Sequence, residues 1–322
     1  MLKRIKRNLI GSIGLGMLVY AITSMVNIAL FGWFSQQGGL ELIGLWTILL
    51  TIMSIVLLAD YGFRDALTRS LVVEKHDKPL NIIFYLCYWI FMLGLSVTAL
   101  VLVGSVHWAT RPEPIWGGLL AAWGGILQVT SGWLISLRLG HHEQHWWYLK
   151  IFIRVLVQSA LVPILILGSG LDIHIALGLA LLLGGGSEAA ITVLITRNDI
   201  SSVSLKSVWA FSPRKVLTTT GGFGPVILMQ RLQEPITRIL LFRFGGIDLL
   251  GIFTVACKMP QTSSAAISEG MRPLLPGLSE LSQAGDTNKA AELIGQSLLH
   301  QMVLNFPVSM FLWIYALPIF QV

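Results

Sequence analysis

Apolar residues dominate the chain in long unbroken runs, separated by short polar stretches that carry most of the charge. Runs of roughly 20 apolar residues suffice to cross a bilayer core as helix, and they recur here from end to end. The pattern predicts nine membrane-spanning helices, near 9–34, 42–60, 81–106, 115–137, 149–168, 173–195, 216–236, 249–270 and 292–318. The polar–apolar alternation of a transmembrane β-barrel is missing. The basic N-terminus, "MLKRIKRN", resembles the start of a signal peptide. The apolar run behind it is about 25 residues, longer than a signal core of about 7–15, so it reads as the first helix.

Composition agrees: 54% of the 322 residues are hydrophobic, only 12% are charged, and the mean hydropathy is +0.74. The formal charge of +6 could suggest nucleic acid. No basic aromatic surface or motif accompanies it, and cationic loops that orient helices explain it better. With the N-terminus in the cytoplasm, Lys3, Arg4, Lys6, Arg7, Arg64, Arg69, Lys75, Lys78, Arg138, Arg197, Lys206, Arg214, Lys215, Arg272 and Lys289 all fall inside. Only Arg111, Arg238 and Arg243 fall outside. Tryptophans 33, 46, 108, 116, 146 and 147 sit near span ends as interface anchors. Cys87 and Cys257 lie inside predicted spans and read as packing residues.

The chain also repeats itself. Residues 38–48, "GGLELIGLWTI", match residues 245–255, "GGIDLLGIFTV", at an offset of 207 residues from Gly38 to Gly245. The identities include both glycines of the pair, Gly44 with Gly251 and Thr47 with Thr254, and an acidic residue recurs as Glu41 and Asp248. Both copies enter predicted helices from the same side. Parallel repeats of this kind are a transporter arrangement, with the substrate site between two rocking lobes. Residues 1–200 then form a six-helix first lobe, and 201–322 hold helices 7–9 of a second. A second lobe of equal length would run to about residue 407, so the chain reads as a C-terminally truncated fragment.

Charges within spans mark candidate sites, since a mid-bilayer lysine costs about 2.5–3.5 kcal/mol on insertion scales. Lys258 lies roughly 15 Å into helix 8 at 1.5 Å per residue, where the first copy carries Thr51. It reads either as a cavity cation for an anionic substrate or as half of a structural ion pair. Pro260 follows it as a candidate hinge. Arg154 and Glu188 fall at similar depth on helices 5 and 6, as a salt bridge or as a protonatable coupling carboxylate beside the close-packing run "GGGSEAA". Arg231, Glu234 and Pro235 are placed toward the outer end of helix 7, where the two charges, three apart, can pair or Arg231 can line the outer mouth. Asp60 ends helix 2 as a cap or a partner for Arg64. "HHEQH" at 141–145 has helical i, i+4 histidines without a general-base context, and no metal site is assigned. No nucleophile elbow, phosphate loop, paired-carboxylate constellation or cofactor motif is present, so the chain is not read as an enzyme.

Two stretches, "GGLELIGLWTILLTIMSIVLLADYGFRDALTRSL" at 38–71 and "EPITRILLFRFGGIDLLGIFTVACKMPQTSSAAISEGMRPLLPGLSEL" at 234–281, resemble the polysaccharide (O-antigen type) flippases of the multidrug/oligosaccharidyl-lipid/polysaccharide (MOP) exporter superfamily. The resemblance implies an all-α polytopic fold of two pseudo-repeated six-helix lobes, here about nine helices, in the cytoplasmic (inner) membrane. It implies alternating access of a cationic central cavity and a polyprenyl-pyrophosphate-linked oligosaccharide as cargo. Membrane lipid and other polysaccharide-assembly proteins are the further partners implied. Lys258 would bind the pyrophosphate, assisted by Arg154 and Arg231. A membrane-embedded polymerase or glycosyltransferase of the same pathway, or a small-molecule exporter of the same superfamily, are the alternatives. The first usually needs a long outside loop, which is missing here.

Overall fold

The computed structural model describes residues 2–73, 79–108, 113–141, 143–200 and 224–271, and, beyond these, residues 278, 281, 285–296, 298, 299, 302, 303, 306 and 310. The described residues are all-helical. In chain order the elements are α1 (Leu2–Leu57), a 3₁₀ turn η1 (Leu58–Asp60), α2 (Phe63–Val73), α3 (Pro79–Trp108), α4 (Glu113–Gly140), α5 (His145–Gly168), α6 (Ile173–Ile200) and α7 (Gly224–Met271). Six segments are long and apolar enough to cross a membrane. The protein is therefore a multi-pass membrane protein, and the apolar faces of α3, such as Leu93, Leu100 and Val103, stay exposed as lipid-facing residues do.

Two of the six segments double back on themselves. In α1 the helical dihedrals break at Gly39 alone, at φ 62° and ψ −149°, and in α7 at Gly246 alone, at φ 76° and ψ −173°. A positive φ with an extended ψ is open essentially only to glycine. Phe34 and Trp46 would lie about 18 Å apart along a straight helix, yet their ring centroids are 5.8 Å apart. Likewise Arg231 bonds Asp60 while Lys258 rests on Phe31, on the same side of the break. Each long helix is thus two crossings joined by one glycine. The predicted loops at 35–41 and 237–248 shrink to that residue, because helix satisfies backbone groups at no cost in exposed polar chain.

The two copies of the repeated sequence pack reciprocally. Gly44 leaves no room for a Cβ beside the carbonyl of Ile247, and Gly251 leaves none beside the carbonyl of Leu40. Residue i of one copy meets residue j of the other and the converse, the signature of a two-fold relation. Thr47 and Thr254 each donate to the carbonyl four residues back, Ile43 and Leu250. The repeat read from sequence is therefore a physical contact.

A second register organises α4 against α6. Gly117 packs on Gly178 and His174, and Gly124 on Gly185 and Leu181, backbone to backbone. Seven residues further on in each helix, Ser131 Oγ lies 2.8 Å from Thr192 Oγ1. Another seven brings Arg138 Nη2 to 3.1 Å from Asp199 Oδ2. Heptad spacing keeps one seam facing its neighbour, and small residues let membrane helices approach closely. The glycines of "GGGSEAA" are thus packing positions: Gly185 meets α4, and Gly184 makes room for Gln158 of α5. Pro260, a candidate hinge, lies within the continuous second arm of α7. The ninth predicted span and the boundary at residues 200/201 fall largely outside the described residues.

Alanine at Gly39 or Gly246 should cost about 1–3 kcal/mol through backbone strain. Alanine at Gly32, where a Cβ meets open space, should be neutral or stabilising. Thermal unfolding of the three variants in detergent checks the ordering.

Candidate functional site

Three stripes of polar side chains face one another where α4, α5 and α6 pack. On α5, Lys150, Arg154 and Gln158 follow one another at four-residue spacing, so they share a face. On α6, Glu188, Thr192 and Thr196 do the same, and on α4 the pair is Gln128 and Ser131. The α4–α6 seam brings the three stripes together around Glu188. Lys150 Nζ donates to Glu188 Oε1 at 2.8 Å and to Ser131 Oγ at 3.2 Å. Ser131 Oγ also lies 3.3 Å from Glu188 Oε1. Arg154 Nη1 stands 3.2 Å from Glu188 Oε2 and donates to Gln128 Oε1 at 2.7 Å.

The burial is unequal. The side chains of Lys150 and Glu188 are 1% and 3% exposed, while that of Arg154 is 24% exposed. A carboxylate this deep survives only because its attraction to the cations and its hydrogen bonds offset desolvation. One carboxylate shared by two cations still leaves one positive charge in excess. Trp147 offers its ring face to Lys150 Nζ at 4.3 Å and to Arg64 at 4.8 Å, which spreads part of that charge over an aromatic quadrupole.

A second ion pair joins α7 to the end of η1. Arg231 Nη1 lies 3.1 Å from Asp60 Oδ2 and 3.5 Å from the Leu57 carbonyl. The other oxygen, Asp60 Oδ1, accepts from Trp133 Nε1 at 2.9 Å and from the Arg64 amide at 3.1 Å. Asp60 therefore holds the start of α2 through the Arg64 backbone amide, and bridges to α7 as well.

Between these two pairs lies a cavity of about 470 Å³, lined among others by Tyr20, Ser54, Gln128, Trp147, Gln230 and Pro235. Its charged lining among the described residues is Arg64, Lys150, Arg154 and Arg231 against Asp60, Glu188 and Glu234. Among these residues cations outnumber carboxylates, and Arg154 on α5 and Arg231 on α7 both line the space with partly exposed side chains. Pro235 has no amide hydrogen, so the Arg231 carbonyl one turn back loses its helical donor within the same wall. The volume suits a small ligand or a head group, and the chemistry suits an anion.

Several sequence expectations change place. Arg154 and Glu188 do meet, as their depth suggested, but Lys150 completes the cluster. A predicted helix beginning at 149 leaves Lys150 at the end of its span, whereas α5 begins at His145 and carries it into the bundle. Its four-residue spacing to Arg154 was the available signal. Arg231, Glu234 and Pro235 are not at an outer helix end. The helix runs on to Gly246, about 22 Å beyond Arg231 at 1.5 Å per residue. Arg231 does not pair with Glu234, which pairs with Arg238 one turn on. Hydropathy ends the helix early because these charges look like an interface; instead Arg231 reaches the buried Asp60, while the exposed Glu234 pairs along the helix with Arg238. Arg238 and Arg243, read as loop residues, are helical.

Lys258 is half-buried, with Nζ 5.4 Å from the centre of the Phe31 ring, and it is not among the residues lining this cavity. Trp46 and Trp147 are buried rather than interfacial. In the His-rich stretch, Glu143 pairs with Arg138 at 3.6 Å and the His145 ring stacks on Trp146. Among the described residues no three of His, Cys, Asp and Glu cluster as metal ligands would.

No family model matches the sequence, and no curated protein does. Solved structures match in fold. An outward-facing multidrug-resistance MATE family transporter of the MOP superfamily superposes with a TM-score of 0.75 at 15% identity, over 98% of this chain and 74% of that one. A variant of the Vibrio cholerae MATE transporter VcmN gives 0.73 at 12% identity, over 98% and 75%. A MATE structure in complex with MaD5 gives 0.73 at 15%, over 97% and 74%. The chain thus shares the fold of these MATE transporters.

Glutamine at Glu188 removes the counter-charge and leaves Lys150 buried beside an arginine. This should destabilise the protein by about 3–5 kcal/mol. Methionine at Lys150 added to that variant should recover much of the loss, as read by thermal denaturation in detergent.

Proposed function

We propose that the chain is part of a transporter that moves a polyprenyl-pyrophosphate-linked oligosaccharide from the inner to the outer leaflet of the cytoplasmic membrane. The observation that carries this reading is the excess of cations over carboxylates among the described residues lining the cavity, with the partly exposed Arg154 of α5 and Arg231 of α7 both contributing to the lining. Guanidinium groups bind phosphate oxygens in paired, charge-assisted hydrogen bonds. The cavity accepts the charged head of such a lipid, while the apolar flank of the helices suits its polyprenyl tail. In this reading the N-terminus is cytoplasmic, the Gly39 and Gly246 turns face outward, and residues 1–200 and 201–322 belong to separate lobes that rock about the reciprocal glycine contact. Lys258, on the crevice side toward Phe31, adds positive field along the route rather than holding the head group itself. Polysaccharide-assembly proteins would supply and receive the cargo.

A small-molecule exporter of the same superfamily is the second reading, favoured by the multidrug transporter among the structural matches. The sign of the cavity separates the two, because a cationic wall repels the organic cations that an acidic one would collect.

In a cell lacking its own polysaccharide flippase, the full-length gene should restore surface polysaccharide. Arg154→Ala should abolish that rescue at an unchanged membrane level of the protein, and Lys258→Ala should reduce it by a smaller factor. Normal polysaccharide with Arg154→Ala would sink the reading.

A further inference from the structure

Asp60 and Arg231 form a contact whose two halves are held very differently. Asp60 is fixed to the first repeat: its Oδ1 takes hydrogen bonds from the Arg64 amide and from Trp133 Nε1, and its side chain is only 9% exposed. One oxygen, Oδ2, is left to face α7. Arg231 is 33% exposed, and its hydrogen bonds among the described residues go to Asp60 Oδ2 and the Leu57 carbonyl, both through Nη1. A guanidinium has five N–H donors in a planar fork, so most of its donor capacity is not used in these bonds, and Arg231 lines the cavity. The contact also joins η1, which follows α1, to α7, away from the glycine packing of those two helices, where Gly44 meets Ile247 and Gly251 meets Leu40. One end of the joint is backbone pressed on backbone. The other is an ion pair beside a cavity.

We propose that Asp60 is a stand-in for the cargo's anion: its carboxylate and a phosphate or pyrophosphate group compete for the Arg231 guanidinium. Exchange of one for the other unfastens α7 from η1. This rests on the reading of the cavity as an anion site. A phosphate carries more charge and more acceptor oxygens than a carboxylate, so it wins the fork when it arrives. Without it, Asp60 neutralises Arg231 and holds the joint shut. The glycine contact at the far end has no charge to exchange and stays packed, so movement is confined to the Asp60 end. Arg154, already balanced in part by Glu188, supplies the second cation for the same ligand from α5. Cargo charge and the opening of one end are thereby coupled through a single side chain.

Asn at position 60 keeps an oxygen to accept from Arg64 and Trp133 while removing the charge that Arg231 needs. The experiment uses the full chain in lipid nanodiscs, with farnesyl pyrophosphate as probe and farnesol as its uncharged control. Spin labels at the exposed positions Met229 and His145, with Cys87 and Cys257 replaced by alanine, read the separation of α7 from the first repeat. Asp60→Asn should bind the pyrophosphate about tenfold more tightly, the scale of one released ion pair. Without probe it should show the longer label separation that wild type shows with probe. Arg231→Gln breaks the tie from the other side without touching the α2 cap, and should show the long separation with no gain in affinity. Equal or weaker probe binding by Asp60→Asn, with wild type binding, would overturn the exchange and leave the anion site standing. Binding by neither would remove the anion site and the exchange together.

Discussion

Everything at the site depends on one buried carboxylate that cannot stand alone. Glu188 sits where solvent does not reach, so its charge requires cations and hydrogen-bond donors at close range. Lys150, Arg154 and Ser131 supply them. They can do so only because α4 and α6 are held in one register by Gly117, Gly124, Gly178 and Gly185. Slipping that register by a residue would move Ser131 from Thr192 and turn the Gln128 face from Arg154. The glycine seam and the charge cluster are therefore one structure: close backbone approach sets the distances, and the ion pairs penalise any other register.

The rest of the cavity inherits its sign from this cluster. Two cations share one carboxylate, so α5 presents net positive charge to the space between the repeats, and Arg231 answers it from α7. Asp60 offsets Arg231 from a position fixed by Trp133 and by the α2 cap. The cavity wall thus contains charge that is locked, on Lys150 and Glu188, and charge that is exchangeable, on Arg154 and Arg231. That division follows from burial, which sets how much a broken ion pair costs.

The number of crossings among the described residues, the repeat and the Arg154–Glu188 pair were legible in the sequence because each leaves a local mark. Apolar runs mark crossings, the glycine pairs mark the turns, and two isolated charges at equal depth mark a bond. The heptad seam was legible in principle, as Gly117, Gly124, Ser131 and Arg138 against Gly178, Gly185, Thr192 and Asp199. It was overlooked because glycine, serine and threonine are common in any membrane helix. Lys150 is hidden by a predicted helix boundary four residues beyond the start of α5. Arg231 was misplaced since hydropathy alone cannot tell a charge at an interface from one paired inside a bundle. Its partner, Asp60, is 171 residues away, a distance that only folding closes. Lys258 looked unusual for a sound reason, but the face of the helix it occupies follows from how α7 packs on α1.

The central claim is the sign of the charge that the cavity accepts. Competition binding to the reconstituted full chain, between a polyprenyl-pyrophosphate-linked oligosaccharide and the lipophilic cation tetraphenylphosphonium, measures that sign directly. Saturable binding of the pyrophosphate lipid, weakening as salt rises and not displaced by the cation, is the outcome expected of a cationic cavity. Saturable binding of the cation, with no binding of the pyrophosphate lipid, would contradict it.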